Sequence, residues 1–148
     1  MKTLLVCIDF SDVTDELLAQ AQKLAPAISE RIVLLNVATA NPNFGAYEPD
    51  ANTVRQVVAD AFQFGRTKLE GIADDLRASL PNLEIVPLMI QGSPVEEITE
   101  HAASLPADLI LMGTHGLGGL LHLLAGSVAQ SVLKLTTTPV LLVSGETE

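Results

Sequence analysis

Between Asp108 and Lys134 the chain places three glycines and a serine where they could hold a phosphate. The apolar stretch Asp108-Leu109-Ile110-Leu111-Met112 leads into Gly113-Thr114-His115-Gly116, and nine residues later Gly126-Ser127 opens an amphipathic stretch. Glycine lets the backbone turn at positive φ and lets a ligand approach where a Cβ would block it. A helix that starts beside such a turn offers unpaired N–H groups and the positive end of its dipole, a combination that favours an anion. The spacing G-x2-G-x9-G-S thus offers the parts of a phosphate site, although each glycine could also serve a turn alone.

Each residue also has a plainer explanation. Ser127-Val128-Ala129-Gln130 is a capping box in its own right, which is enough to explain a serine there. Asp9 could cap the helix that follows it, because a carboxylate is favourable at a helix N-terminus. His115 lies in the loop, and an imidazole with an ordinary pKa near ~6.5 is partly charged near neutrality; backbone contact is expected there rather than catalysis. His101 and His122 have no metal-ligand spacing with each other or with Cys7, so solvated positions are expected for both.

The elements that must position these residues are legible as five short apolar runs alternating with helical stretches. Thr3–Ile8, Arg31–Val37, Glu84–Ile90, Asp108–Met112 and Pro139–Val143 read as strands, most of them continuously apolar, as strands buried on both faces should be. The intervals are long enough for crossover helices, so the sheet should be parallel. The first helix is expected from about Val13 to Ala25, capped by Ser11 or Asp12, with Leu17, Leu18, Ala21, Leu24 and Ala25 inward. The second should run from about Ala51 to Ser79, with Val54, Val57, Val58, Ala61, Phe62, Leu69, Ile72, Ala73 and Leu76 on one side and a bend at Gly65. Ser93-Pro94-Val95-Glu96 combines an N-cap, a proline at the first helical position and a capping-box glutamate, and opens a third helix ending near Ser104. A fourth begins at Ser127, with Val128, Val132, Leu133 and Leu135 inward. The stretch 39–50, with Pro42, Gly45 and Pro49, reads as a mobile surface loop.

Pro87 falls inside the third strand and cannot donate to a ladder, which places that strand at an edge. With right-handed crossovers the order becomes 3-2-1-4-5: an open five-stranded parallel α/β sheet with helices on both faces. Ligands in such sheets bind outside the carboxyl ends of the strands where the order reverses. Asp9, ending strand one, and Gly113, following strand four, would face each other across that crevice.

The chain of 148 residues is long enough for one domain, 1–148, with a sizeable core, and 48% of it is hydrophobic. Eight basic against 18 acidic residues give a net charge of −10, which argues against a nucleic-acid or anionic-membrane surface. No apolar run reaches the ~18–20 residues of a membrane span, so no membrane insertion is expected. Met1-Lys2-Thr3 leads straight into a strand without a secretory signal, and a cytoplasmic protein is the default. Cys7 is the single cysteine and reads as a buried, inert thiol.

On these residues the chain resembles the universal stress protein family over nearly its whole length. The glycine spacing is similar to that of the family's nucleotide-binding subclass. Leu5-Val6-Cys7-Ile8-Asp9-Phe10-Ser11-Asp12 resembles its opening strand and turn, Val33-Leu34-Leu35-Asn36-Val37 its second strand, and Thr138-Pro139-Val140-Leu141-Leu142-Val143 its last. The resemblance implies a Rossmann-like, adenine nucleotide alpha hydrolase-like fold that binds ATP, or AMP or ADP, commonly as a homodimer. It implies that Cys7, Ile8, Asp9 and Val37 line the adenine and ribose side. Met112, Gly113, His115, Gly116, Gly126, Ser127 and Val128 would hold ribose and phosphates, with Asp9 near a magnesium ion. The last strand, Val140–Val143, would form an antiparallel contact across a dimer axis, as an exposed apolar edge invites.

Two departures stand out. Many relatives carry a basic residue shortly after the second glycine, but no Lys or Arg occurs here between Arg77 and Lys134. Phosphate charge would then rest on amides, Ser127, Mg2+ and a protonated histidine. Asn36 stands where relatives frequently have histidine.

The reading that follows is an ATP-binding, dimeric stress-response regulator acting through a protein partner the sequence does not name. The alternatives are a nucleotide-free dimeric interaction module and a slow ATP hydrolase of the same fold. No Gly-x-x-x-x-Gly-Lys-[Ser/Thr] loop is present, nor the His-x-Gly-His motif of adenylyl transferases, nor the Ser-Gly-Gly-x-Asp-Ser loop of ATP pyrophosphatases. With no nucleophile–base pair or carboxylate dyad in view, no catalytic residue is assigned and at most weak ATPase activity is expected.

Overall fold

Alternation along the strands builds this fold, because each continuously apolar strand sends successive side chains to opposite faces. A computed structural model describes residues 2–39, 42, 44–114 and 126–145. In chain order the elements are β1 (Thr3–Cys7), α1 (Thr14–Ile28), β2 (Arg31–Ala38), α2 (Ala51–Ser79), β3 (Glu84–Gln91), α3 (Pro94–Ser104), β4 (Leu109–Gly113), α4 (Ser127–Leu135) and β5 (Val140–Val143). The sheet is parallel throughout and its order is β3-β2-β1-β4-β5, as the crossover argument requires. Pro87 lies opposite Leu34 on the edge strand β3, where its missing N–H costs no ladder bond on the outer side.

Two cores result. Leu4, Val6, Ile8, Ile32 and Leu34 pack on one face against Leu17, Ala21 and Ala25 of α1 and Leu69, Ala73 and Leu76 of α2. Leu5, Val33, Leu35, Ile110 and Met112 pack on the other against Ile98 and Ala102 of α3 and Ala129 and Val132 of α4. Each fully buried aliphatic side chain stabilises the fold by about 1.5–3 kcal/mol. At the amino ends of the strands a polar latch closes the sheet. Thr3 N–H donates to Asp108 Oδ2 (2.8 Å), and Arg31 Nη2 donates to Thr3 Oγ1 (2.9 Å) and to the Leu105 carbonyl (3.3 Å).

Several local expectations are corrected. α1 is not capped by Ser11 or Asp12: Val13 is its N-cap and makes no side-chain bond. The Asp9 carboxylate instead accepts the Ser11 N–H at 3.0 Å, and the chain enters the helix through that turn. α1 also continues past Ala25 to Ile28 with Pro26 inside the helix, although proline forgoes the N–H bond to the carbonyl four residues back. Ser93 is the N-cap of α3 with Pro94 at the start, but its hydroxyl makes no capping bond. Ser127 is the first residue of α4 and Gly126 its N-cap, so the capping box at Ser127 does not form. β1 ends at Cys7, two residues before Asp9.

α2 is continuous through Gly65. Glycine serves there as clearance, since an added Cβ would lie 2.6 Å from Met89 Cε and 3.5 Å from the Phe10 ring. Its inward stripe is shorter than the periodicity suggested: Leu69, Ala73 and Leu76 are buried, whereas Ala61 and Val57 are exposed, the latter at 37%. On α4, Ala129 and Val132 are buried while Leu133 and Leu135 face outward. Among the described residues, no helix is long and apolar enough to cross a membrane.

The two halves of α2 should respond differently to truncation. Leu69→Ala should cost about 2–5 kcal/mol, as cavity-forming core changes do, and Val57→Ala within about 0.5 kcal/mol, as surface changes do. Urea unfolding monitored by circular dichroism reads both, and equal losses would show that the outer half of α2 is core after all.

Candidate functional site

The strand order reverses between β1 and β4, and a pocket of about 260 Å³ opens there at the carboxyl ends of the strands. Its floor and one wall are Cys7, Ile8 and Asp9 after β1 and Leu35 and Val37 on β2. Met112, Gly113 and Thr114 come from β4, Gly126, Ser127, Val128 and Ala129 from the start of α4, and Pro94 and Ile98 from α3.

The turn after β1 is held tightly. Ile8 N–H donates to the Leu35 carbonyl (2.8 Å), and the buried Asn36 donates from Nδ2 to the Ile8 carbonyl (2.6 Å). Asn36 thus pins the backbone that presents Asp9. Phe10 follows in the left-handed region at φ 60°, a conformation that a bulky residue adopts only where its surroundings compel it. On the other side, Thr114 N–H donates to the Val143 carbonyl (3.0 Å), and Gly126 N–H donates to the Thr114 carbonyl. That last bond brings the end of β4 against the start of α4.

This arrangement presents neutral donors to a shared space. Gln130 N–H makes the first bond of α4, to the Gly126 carbonyl (3.0 Å). The amides of Ser127, Val128 and Ala129 therefore have no partner within the helix. Thr114 Oγ1 is buried and makes no hydrogen bond, an uncommon condition that a ligand atom would relieve. Apolar Ile8, Leu35, Val37, Ile98 and Met112 line the rest and suit a flat aromatic group. Among the described residues no group of three or more His, Cys, Asp or Glu is placed to hold a metal ion. Asp9 is the carboxylate at the pocket, enough for Mg2+ only if phosphate oxygens and water complete the coordination.

Nine of the expected site residues line this one pocket: Cys7, Ile8, Asp9, Val37, Met112, Gly113, Gly126, Ser127 and Val128. His115 and Gly116 lie outside the described residues. Sequence reasoning missed Leu35, Pro94, Ile98, Thr114 and Ala129. Thr114 carried a signal, as a hydroxyl inside the glycine spacing. Pro94 and Ile98 carried none, since only the packing of α3 over the second core brings them there.

The pattern that describes the universal stress protein family matches residues 1–144. The chain belongs to the universal stress protein family. A relative from Thermus aquaticus, the universal stress protein in the QAH/OAS sulfhydrylase 3′ region, is 35% identical over 148 residues, covering 96% of this chain and 98% of its own. The solved structure of MJ0577 from Methanocaldococcus jannaschii superimposes with a TM-score of 0.87 at 25% identity, covering 99% of this chain and 98% of the other. Two further members of the fold were solved with nucleotide: a universal stress protein in complex with cAMP (TM-score 0.64, 24% identity, 98% of both chains) and an Arabidopsis thaliana family protein with AMP bound (TM-score 0.65, 16% identity, 99% and 93%).

Cys7 borders the pocket, yet burial of its thiol, followed by the charge of Asp9, pushes its pKa from 9.0 up to about 12. The folded protein thus favours the protonated thiol. Stability from this group is complete below about pH 9, where the unfolded chain is also protonated, and is lost as pH rises toward 12. Cys7→Ala should flatten the alkaline fall in urea-unfolding free energy between those values. Native protein at pH 8 should react with a thiol reagent far more slowly than urea-unfolded protein; equal rates would show an accessible thiolate.

Proposed function

We propose that this protein is a homodimeric regulator that binds an adenine nucleotide, ATP or its mono- or diphosphate, in the pocket between β1 and β4. The observation that carries this reading is the convergence on one pocket of an apolar shelf, the glycines Gly113 and Gly126, and the unpartnered amides at the start of α4. Adenine lies against Val37, Ile98 and Met112, and the phosphates meet the α4 amides and the Ser127 and Thr114 hydroxyls. The structures of fold members with cAMP and with AMP support the ligand class. Asp9, phosphate oxygens and water would hold Mg2+ when a polyphosphate is bound.

The residues present bind rather than react. Phosphoryl transfer needs charge stabilisation at the transferred group and a residue that orients the attacking water or hydroxyl, and among the described lining residues there is no cation and no nucleophile–base pair for that task. Occupancy acts instead by changing the surface that a partner protein reads, in the cytoplasm. A ligand at 100 times its Kd should stabilise the fold by about 2.7 kcal/mol. Thermal unfolding with Mg-ATP and with AMP at millimolar concentration should show that shift. The double variant Gly113→Val, Gly126→Val should lose the shift while keeping its far-ultraviolet dichroism. No shift with either nucleotide favours the nucleotide-free interaction module.

The dimer forms through β5, which is the sheet edge beside β4. Leu141 on that strand (38% exposed), with Leu133 (46%) and Leu135 (66%) on α4, is a set of exposed apolar side chains for a partner to cover. Leu135→Glu together with Leu141→Glu should convert a dimer to a monomer in sedimentation velocity without loss of folded structure. A wild-type protein that sediments as a monomer at micromolar concentration ends the dimer proposal.

A further inference from the structure

The charges around the pocket narrow the ligand further than its shape does. Asp9 is the sole formally charged side chain among its described lining residues. No Lys or Arg occurs between Arg77 and Lys134, a span that includes all of residues 115–125. Cations elsewhere in the fold are placed away from this lining. Arg31 is bound to Thr3 and Leu105 at the opposite end of the sheet. Lys68 rests over the rings of Phe10 (4.8 Å) and Phe64 (5.4 Å) on the α2 face. Lys134 is in the last turn of α4, away from the helix start that lines the pocket.

Among the described residues, what remains for a phosphate is neutral: the amides of Ser127, Val128 and Ala129 and the hydroxyls of Ser127 and Thr114. Thr114 is 8% exposed, lines the pocket and has an unpartnered Oγ1, so its hydroxyl is a donor held ready for a ligand. These five donors suffice for the three terminal oxygens of one phosphate. They satisfy hydrogen bonds without cancelling charge. Every further phosphate brings additional negative charge to a pocket that already holds Asp9, in a molecule of net charge −10.

Resting on the adenine-nucleotide reading above, we infer that the pocket selects an adenine mononucleotide with a single phosphate, AMP or cyclic AMP, over metal-free ADP and ATP. The triphosphate competes only as its Mg2+ complex. The protein accordingly reports the mononucleotide pool.

Calorimetric titration of the full chain with AMP, cyclic AMP and ATP tests this, first in EDTA and then in excess Mg2+. The titrations are run at about pH 8, where an ordinary imidazole is neutral. In EDTA, AMP or cyclic AMP should bind about tenfold or more tightly than ATP, the scale set by extra phosphate charges several ångströms from an uncompensated carboxylate. Comparison of the two mononucleotides shows whether the site takes the open or the ring-closed phosphate. Mg2+ should narrow the gap. Asp9→Asn, which keeps an acceptor for the Ser11 amide, should narrow it in EDTA by strengthening ATP more than AMP. ATP binding in EDTA as tightly as AMP, or Mg-ATP binding without AMP, overturns the charge selection and leaves the nucleotide reading standing. Binding of none of the three, with or without Mg2+, overturns both.

Discussion

A parallel sheet with both faces covered leaves only its ends free, and that constraint determines where this protein can bind anything. Each strand is buried because alternate side chains serve two separate cores, so neither face can be given up to a ligand. The chain leaves β1 toward α1 on one face and leaves β4 toward α4 on the other. Between these diverging connections, neighbouring strand ends are left with no helix across them. The pocket is therefore a consequence of the order β3-β2-β1-β4-β5 rather than an added feature. What the local sequence adds is its lining: apolar side chains from the second core, and backbone amides wherever a glycine keeps side chains away.

Holding an anion in an acidic molecule without a nearby cation restricts how the anion can be held. Oriented amides and hydroxyls act at short range and are ordered before the ligand arrives, so their reorganisation cost is small. Their weakness is that they compensate hydrogen bonding and leave net charge largely in place. Arg31 shows the other use of a cation in this fold: it knits the amino ends of β1 and β2 to the end of α3, at the opposite end of the sheet from the pocket. Structural demands thus occupy one end and ligand binding the other, and Arg31 is spent on structure.

How much was readable in advance follows from how local each signal is. The strand order came from one non-local rule and one proline: Pro87 could occupy only an edge. The bounds of α2 were legible because its periodic stretch is long, but its burial was not. At roughly 3.6 residues per turn Val57 sits about 120° round α2 from Leu69, so the core that covers Leu69 leaves Val57 exposed. Capping was over-read for a related reason. Ser93 and Ser127 are good capping residues by type, yet the Ser93 hydroxyl makes no capping bond and Ser127 is the first helical residue rather than the cap. Asp50, in a stretch that reads as loop, does cap: its carboxylate accepts the Thr53 N–H at 2.7 Å and its pKa is lowered by that bond. The glycine-framed part of the site was legible because it is contiguous in sequence. Leu35, Pro94 and Ile98 were not, because tertiary packing alone assembles them.

The turn from Asp9 to Ser11 shows how the two faces of the sheet are tied to the pocket. Phe10 at φ 60° is strained for an aromatic residue, and a strained residue persists only where packing over-determines it. Its ring packs against the first core and is covered by the Lys68 ammonium at 4.8 Å. Gly65 allows this, since a side chain there would press on Met89 and reach the ring. From the other side, Asn36 holds the Ile8 carbonyl. Phe10 packs on the first core while Asp9 lines the pocket, so this turn divides the two side chains between the α2 face and the site. The glycine in the middle of α2, which looks like a helix weakness in isolation, is thus part of what aims a carboxylate at the site on the far side of the sheet.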